Sequence, residues 1–165
     1  CLYVKNGIDL VATYYGGGQE MNLRPGTENI AGIYGMSLSL EKSIQEIPIF
    51  TKKMTSLEST FLNQLKKLNT SFTINGENRI PGFLNITFNG IKSQDLVIGL
   101  DMKGFAISGG SACSSGAISP SKILKEIGLS NEAASQSVRI SFGKNLLDNN
   151  VEELANQISY IINDK

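Results

Sequence analysis

Apolar residues in the first part of the chain recur at the spacing of helices. The sequence predicts a helix from about Glu28 to Ile47, with Thr27 as its N-cap and Pro48 as its end. A second helix is expected directly afterwards, because apolar side chains recur there every three or four residues, as in a helix packed on a core. Those side chains are Phe50, Met54, Leu57, Phe61, Leu65 and Leu68.

Beyond Leu68 the spacing changes from that of a helix to that of a strand. Apolar and polar residues alternate over Phe72–Ile74, Leu84–Phe88 and Val138–Phe142, and each segment predicts a strand. A further short strand is expected at Phe105–Ile107. The alternation therefore predicts a small sheet with one apolar face.

Three shorter helices are predicted between and after these strands, each from a capping residue, an apolar face and an end signal. Their caps and ends are, in chain order, Ser93 and Gly104, then Ser119 with Pro120 and Gly128, then Asp148 and about Asn163. The order of strands and helices predicts an α+β fold in which helices pack on one face of the sheet.

The composition excludes several classes of function. The chain has 15 basic and 15 acidic residues, so its formal net charge is zero and does not favour binding to nucleic acid or to an anionic membrane. No apolar run approaches the ~18 residues of a membrane span, and we expect a cytoplasmic protein without direct nucleic-acid or membrane partners. With no histidine and only two cysteines, the chain cannot form a Cys–His pair, a histidine-containing zinc site or a four-thiolate metal site.

The interior cysteine, Cys113, lies in the segment Ile107–Gly116, which consists almost only of glycine, serine and alanine. A cysteine used for packing normally lies among large apolar residues, because the free thiol behaves as a small hydrophobe. The segment also connects a predicted strand to a predicted helix, where reactive groups are often placed. The pattern indicates a reactive thiol, and an idle cysteine on a surface loop fits the same residues.

Arg139 lies in the predicted strand Val138–Phe142, on the face opposite its apolar residues. A guanidinium group can bind a carboxylate through two parallel hydrogen bonds, a geometry that lysine cannot reproduce. The position therefore indicates a carboxylate-binding residue. The alternative is an ordinary exposed arginine on an edge strand.

Four segments together resemble the cysteine desulfurases of the nitrogen-fixation and iron-sulfur-cluster type, class V aminotransferases among the fold-type-I pyridoxal-phosphate enzymes. They are Gly16–Glu20 with Leu23–Asn29, then Pro81–Asn85, Ser108–Ser115 and Ser137–Ser141. The resemblance covers essentially the whole chain. It implies that residues 28–165 are the small C-terminal domain of such an enzyme and that residues 1–27 are a remnant of the large, cofactor-binding domain.

The resemblance also implies a role for three residues. Cys113 resembles the nucleophile that takes sulfur from L-cysteine, leaving L-alanine, and becomes a persulfide. Thr27 resembles the threonine that contacts the pyridoxal phosphate of the partner subunit in a homodimer, and Arg139 resembles the arginine that binds the substrate carboxylate. The sulfur would then pass to a protein acceptor, either an iron-sulfur scaffold or a tRNA-thiolation protein.

One part of the family's active site has no counterpart in this sequence. The lysine that forms the Schiff base, and the histidine and aspartate that contact the ring, lie upstream of a Gly-x-Leu-Tyr-Val segment, and this chain begins at Cys1–Val4. We therefore expect the isolated chain to be inactive. Two alternatives fit the same residues: a non-enzymatic sulfur acceptor or thiol sensor with a reactive loop cysteine, and a selenocysteine lyase or another sulfur-transfer relative.

Overall fold

The computed structural model describes residues 1–109 and 121–164. The chain divides into two compact units, Cys1–Glu46 and Ile47–Lys165, and each is described by itself. The elements are a 3-10 helix at Glu20–Asn22, then α1 (Ile30–Lys67), β1 (Phe72–Ile74), β2 (Phe83–Phe88), α2 (Ser93–Asp101), β3 (Ser108–Gly109), α3 (Lys122–Glu126), α4 (Asn131–Ser135), β4 (Ser137–Ser141) and α5 (Asp148–Asn163).

Helix α1 continues through Pro48, so the expected break between two helices is wrong. Proline removes one N–H donor, but its fixed φ is close to the helical value. Ending the helix there would instead leave four backbone carbonyls without helical partners. The residues that follow retain the predicted stripe, and Met54, Leu57, Phe61 and Leu65 are all at most 2% exposed.

The start of α1 also differs from the expectation. The helix begins at Ile30, and Asn29 rather than Thr27 caps it, because the Gly32 N–H donates to Asn29 Oδ1 at 3.0 Å. Asparagine and threonine both cap helices, so the local pattern could not decide between two positions this close together. Thr27 is exposed and precedes the helix by three residues.

No residue of the first unit, Cys1–Glu46, is buried. In the part of α1 that belongs to this unit, large apolar side chains recur every three or four residues and are 46–58% exposed. They are Ile33, Met36, Leu40 and Ile44. The second unit, by contrast, contains the hydrophobic core, formed by α1 after residue 50, the sheet, α2 and α5.

The sheet has the strand order β1-β2-β4-β3, and all three pairs are antiparallel. Its apolar face, which includes Ile86 and Val138 at 0% exposure, packs against the helices of the core. The predicted α+β fold is therefore confirmed. Strand β4 lies between β2 and β3, so Arg139 is on an interior strand and not on an edge.

The predicted strands are present with small shifts, except the one expected at Phe105–Ile107. That segment has no strand pairing, and β3 follows it at Ser108–Gly109. Phe105 and Ile107 are instead partly buried against the core, which explains their apolar character. Helix α4 was not predicted, because its short run of polar and small residues has no apolar periodicity.

The ends of the short helices follow the prediction better than their starts. Gly104 and Gly128 have φ of +84° and +98°, the left-handed conformation that ends a helix. The capping positions are Lys92 for α2, Ser121 for α3 and Leu147 for α5, not Ser93, Ser119 and Asp148. Ser119 and Pro120 themselves lie outside the described residues.

Candidate functional site

The sheet register places Arg139 between Asn85 of β2 and Ser108 of β3. Residues directly opposite each other in an antiparallel pair project from the same face of the sheet. Arg139 is exposed on this face, whereas Asn85 and Ser108 are half-buried. The three residues come from the three segments Pro81–Asn85, Ser108–Ser115 and Ser137–Ser141, so strand pairing brings parts of separate motifs together.

A buried polar network lies beside Asn85 on the same face. The amide nitrogen of Asn75 donates to Asn85 Oδ1 at 2.7 Å and to Thr87 Oγ1 at 2.9 Å. Thr87 Oγ1 lies 2.8 Å from Ser137 Oγ, and the Ser137 hydroxyl donates to the backbone oxygen of Ala133 at 2.7 Å. The network therefore connects Asn75, which follows β1, with residues of β2 and β4 and with helix α4.

Sequence reasoning missed this network. Ser137 lies two positions before Arg139, so the alternation of the strand puts both residues on the face away from the core. Ser137 is nevertheless 1% exposed. Alternation predicts which face a residue occupies, but it does not predict whether another element covers that face.

The start of β2 is held by Glu58 of α1. One carboxylate oxygen of Glu58 accepts from Arg79 Nη1 at 2.9 Å, and the other accepts from the Gly82 N–H at 3.1 Å. Gly82 has φ +83°, and a Cβ there would lie 2.9 Å from the buried Sδ of Met54. Only glycine fits this position, and it fixes where the strand that carries Asn85 begins.

The residues around Thr27 form a second candidate site, in the first unit. The Gly26 N–H donates to Gln19 Oε1 at 3.2 Å, which joins the segments Gly16–Glu20 and Leu23–Asn29. Arg24 Nη1 donates to the Pro25 backbone oxygen at 2.6 Å. Thr27 belongs to the first unit and Arg139 to the second.

Cys113 lies outside the described residues. Its position along the chain is still informative, because it follows Gly109 of β3 by four residues and Gly109 is paired with Val138, next to Arg139.

Within the described residues, no group of three or more histidine, cysteine, aspartate or glutamate side chains could hold a metal ion. Among the helices of residues 1–109 and 121–164, none is long and apolar enough to cross a membrane.

Comparisons with known proteins identify the family. The chain matches the aminotransferase class-V family over residues 7–154. It is 33% identical to the cysteine desulfurase IscS of Clostridium botulinum over 98% of this chain, which is 42% of that relative.

Two solved structures are also similar. A NifS-like protein has a TM-score of 0.83 and 25% identity, over 99% of this chain and 42% of the other. SspA in complex with cysteine has a TM-score of 0.58 and 28% identity, over 82% of this chain and 36% of the other.

The chain thus spans less than half the length of these proteins. The family match covers most of the chain and confirms the resemblance seen in its four segments. The chain belongs to the class-V aminotransferase family.

Proposed function

We propose that this chain is the C-terminal part of a cysteine desulfurase, which converts L-cysteine to L-alanine and holds the sulfur as a persulfide on Cys113. The observation that carries the proposal is the register of the sheet. It sets Arg139 on an accessible face, beside the strand from which the chain continues to Cys113. A carboxylate-binding group and a nucleophilic thiol are the two functions that this reaction requires of the chain.

The class V aminotransferases, and the cysteine desulfurases among them, depend on pyridoxal phosphate. The residues present fit one end of that cofactor: the exposed Thr27 hydroxyl precedes the 38-residue helix α1, and both a hydroxyl and a helix N-terminus suit a phosphate. When bound, the cofactor supplies an electron sink for the substrate carbon. We assign Thr27 to the phosphate and expect the Schiff-base lysine in another part of the longer enzyme.

In the proposed reaction, the guanidinium group of Arg139 binds the carboxylate of L-cysteine and orients the substrate thiol. The Cys113 thiolate attacks the substrate sulfur, so that an S–S bond forms as the substrate C–S bond breaks. The carbon takes up a proton and leaves as L-alanine. One thiol and one cysteine therefore give one persulfide and one alanine, and no external oxidant is needed.

The uncovered apolar side chains of residues 1–46 favour burial against the rest of a longer enzyme or against a second subunit of a homodimer. The persulfide passes to a protein acceptor, an iron-sulfur scaffold or a tRNA-thiolation protein, in the cytoplasm. The domain boundary between residues 27 and 28 also stays a prediction.

The test uses the full-length enzyme loaded with pyridoxal phosphate. We expect Cys113→Ser to bind L-cysteine without forming a persulfide, because a hydroxyl is a poor nucleophile toward sulfur. The matched control is Cys1→Ser, which removes the exposed second cysteine of this chain and should leave persulfide formation intact. Persulfide labelling followed by mass spectrometry measures both variants, and a persulfide retained in Cys113→Ser would contradict the proposed nucleophile.

Arg139→Ala tests the other half of the proposal. Losing a charge-assisted bidentate contact to a carboxylate should lower kcat/KM for L-cysteine about 30- to 1,000-fold while leaving the Cys113 thiol able to react with an alkylating reagent. Alanine release measured over a range of cysteine concentrations gives kcat/KM. An unchanged value would mean that the carboxylate is bound elsewhere.

A further inference from the structure

The hydrogen-bond network beside Arg139 has only one possible direction. The Ala133 backbone oxygen can only accept, so Ser137 uses its single proton on that bond. Thr87 must then be the donor in its 2.8 Å contact with Ser137. Thr87 Oγ1 also lies 3.3 Å from Asn75 Oδ1, but its single proton goes to the shorter contact with Ser137, so Thr87 accepts from the Asn75 amide nitrogen at 2.9 Å.

The direction of the network determines how Asn85 is oriented. The same Asn75 nitrogen lies 2.7 Å from the Asn85 side-chain amide, so the atom facing it must be the oxygen, Oδ1. An NH2 group in that place would face another NH2 group with no acceptor between them. The acceptor end of Asn85 is therefore occupied by Asn75, and its NH2 donors are left on the side away from Asn75.

The register sets Arg139 directly opposite Asn85 on the same face of the sheet. Strand β2 lies between β1 and β4, so the backbones of Asn75, which follows β1, and of Arg139, on β4, lie on either side of Asn85, and the Asn75 amide nitrogen reaches across β2 to within 3.2 Å of Ser137 Oγ. Directly opposite residues have Cα atoms about 4.5–5.5 Å apart. A guanidinium and an amide NH2 group contain only donors, so the two cannot bond to each other, and together they favour an acceptor-rich anion.

We propose that Asn85 donates a further hydrogen bond to the carboxylate that Arg139 binds, so that the carboxylate is held from β2 and β4 together. This inference rests on the proposed function for the identity of the substrate. A carboxylate has lone pairs for a bidentate arginine and for one more donor, so both contacts can be made at once. Asn75 positions Asn85 without touching the substrate.

The test compares two ligands on the full-length, cofactor-loaded enzyme. Calorimetric titration with 3-mercaptopropionate, which has the carboxylate of cysteine, is set against titration with cysteamine, which lacks it. Asn85→Ala should weaken 3-mercaptopropionate about 10- to 100-fold, as expected for one hydrogen bond to a charged group, and leave cysteamine unchanged. The control Thr73→Ala removes an exposed hydroxyl from β1, on the same face of the sheet as Asn85, and should alter neither affinity.

A second variant distinguishes loss of the hydrogen-bond donor from a general disruption of the fold. Asn85→Asp keeps an oxygen that accepts from Asn75, but it replaces the NH2 donors with a second carboxylate oxygen beside Arg139. We expect an unchanged melting temperature and a loss of 3-mercaptopropionate affinity greater than that of Asn85→Ala. Equal losses for both ligands, or no loss in either variant, would overturn the proposal.

The outcome for Asn85 can be separated from that of the proposed function. If the wild-type enzyme releases no alanine from L-cysteine, the proposed function fails. The two titrations need no turnover, so a selective loss of the carboxylate ligand still supports Asn85 as a carboxylate donor. Conversely, wild-type turnover with unselective Asn85 variants would retain the desulfurase and overturn only the role of Asn85.

Discussion

Replacing Asn75 by alanine should destabilise the sheet through a countable loss of hydrogen bonds. The substitution removes the donors to Asn85 Oδ1 and Thr87 Oγ1, and it removes an amide nitrogen that lies 3.2 Å from Ser137 Oγ. The backbone is unaffected, because the Asn75 N–H still donates to the Asn85 backbone oxygen at 2.8 Å. The effect therefore isolates the side-chain network.

The magnitude follows from which groups water can reach afterwards. Asn85 is half-buried and can be hydrated, whereas Thr87 is only 3% exposed and loses a bond that water cannot readily replace. A buried polar group left without a partner costs about 1–3 kcal/mol, and the small cavity left by the amide adds to this. We expect the free energy of unfolding to fall by about 2–4 kcal/mol, a large part of the roughly 5–15 kcal/mol of a typical domain.

Urea unfolding followed by far-ultraviolet circular dichroism measures the change, since the chain has no tryptophan to serve as a fluorescent probe. The midpoint should fall while the slope with urea stays constant, because the surface exposed on unfolding is unchanged. The matched control, Thr73→Ala, removes an exposed hydroxyl from β1, the strand that Asn75 follows, and should change stability by less than about 0.5 kcal/mol. Equal midpoint shifts in the two variants would refute the reasoning.

Three further predictions concern the framework of the second unit. Phe61 is fully buried and packs edge-to-face against Phe142, with ring centroids 5.6 Å apart. Replacing Phe61 by alanine should lower the free energy of unfolding by about 3–5 kcal/mol, measured by the same urea titration. Gly82→Ala should destabilise more than Gly76→Ala in that titration, because both positions have φ above +80° but only the Cβ at 82 would meet Met54. A hydrogen bond from Tyr160 to Asp164 and the charge of that carboxylate raise the pKa of Tyr160 above its ordinary 10.0. The protonated phenol therefore contributes to the free energy of unfolding, fully below that pH, and the contribution is lost as pH rises through the raised pKa. The difference in stability between wild type and Tyr160→Phe should therefore be constant below about pH 10 and change above it, and a constant difference throughout would contradict the pKa shift.

The parts of the fold that were predictable are those set by local periodicity. The stripe from Met54 to Leu65 and the alternation in β1, β2 and β4 each show which side chains face the core. The structure buries those of α1, β2 and β4, and it packs Phe72 and Ile74 of β1, partly buried, against the core. Pro48 was misjudged because a local signal for a helix end competes with the free energy of the whole helix. The caps were misjudged by one to two residues. For α1 and α3 a second capping residue lies two positions further on, and for α2 and α5 the cap lies one position before the capping residue that the sequence offers.

The candidate site was predictable only one residue at a time. Alternation placed Arg139 on the polar face, but its neighbours Asn85 and Ser108 lie 54 and 31 positions earlier in the chain. Which residues of separate strands are opposite each other depends on register, and register is a property of the folded sheet. No pattern within one strand could have paired Asn85 with Arg139.

The buried network offers a physical reason for that register. Shifting β2 by one residue against its neighbours would turn Asn85 and Thr87 toward the apolar face and bury their polar groups among the core side chains. In the observed register the same groups are satisfied by Asn75 and Ser137. The hydrogen bonds that stabilise this pairing are thus the ones that set Asn85 opposite Arg139, so the framework of the sheet and the proposed carboxylate site have a common origin.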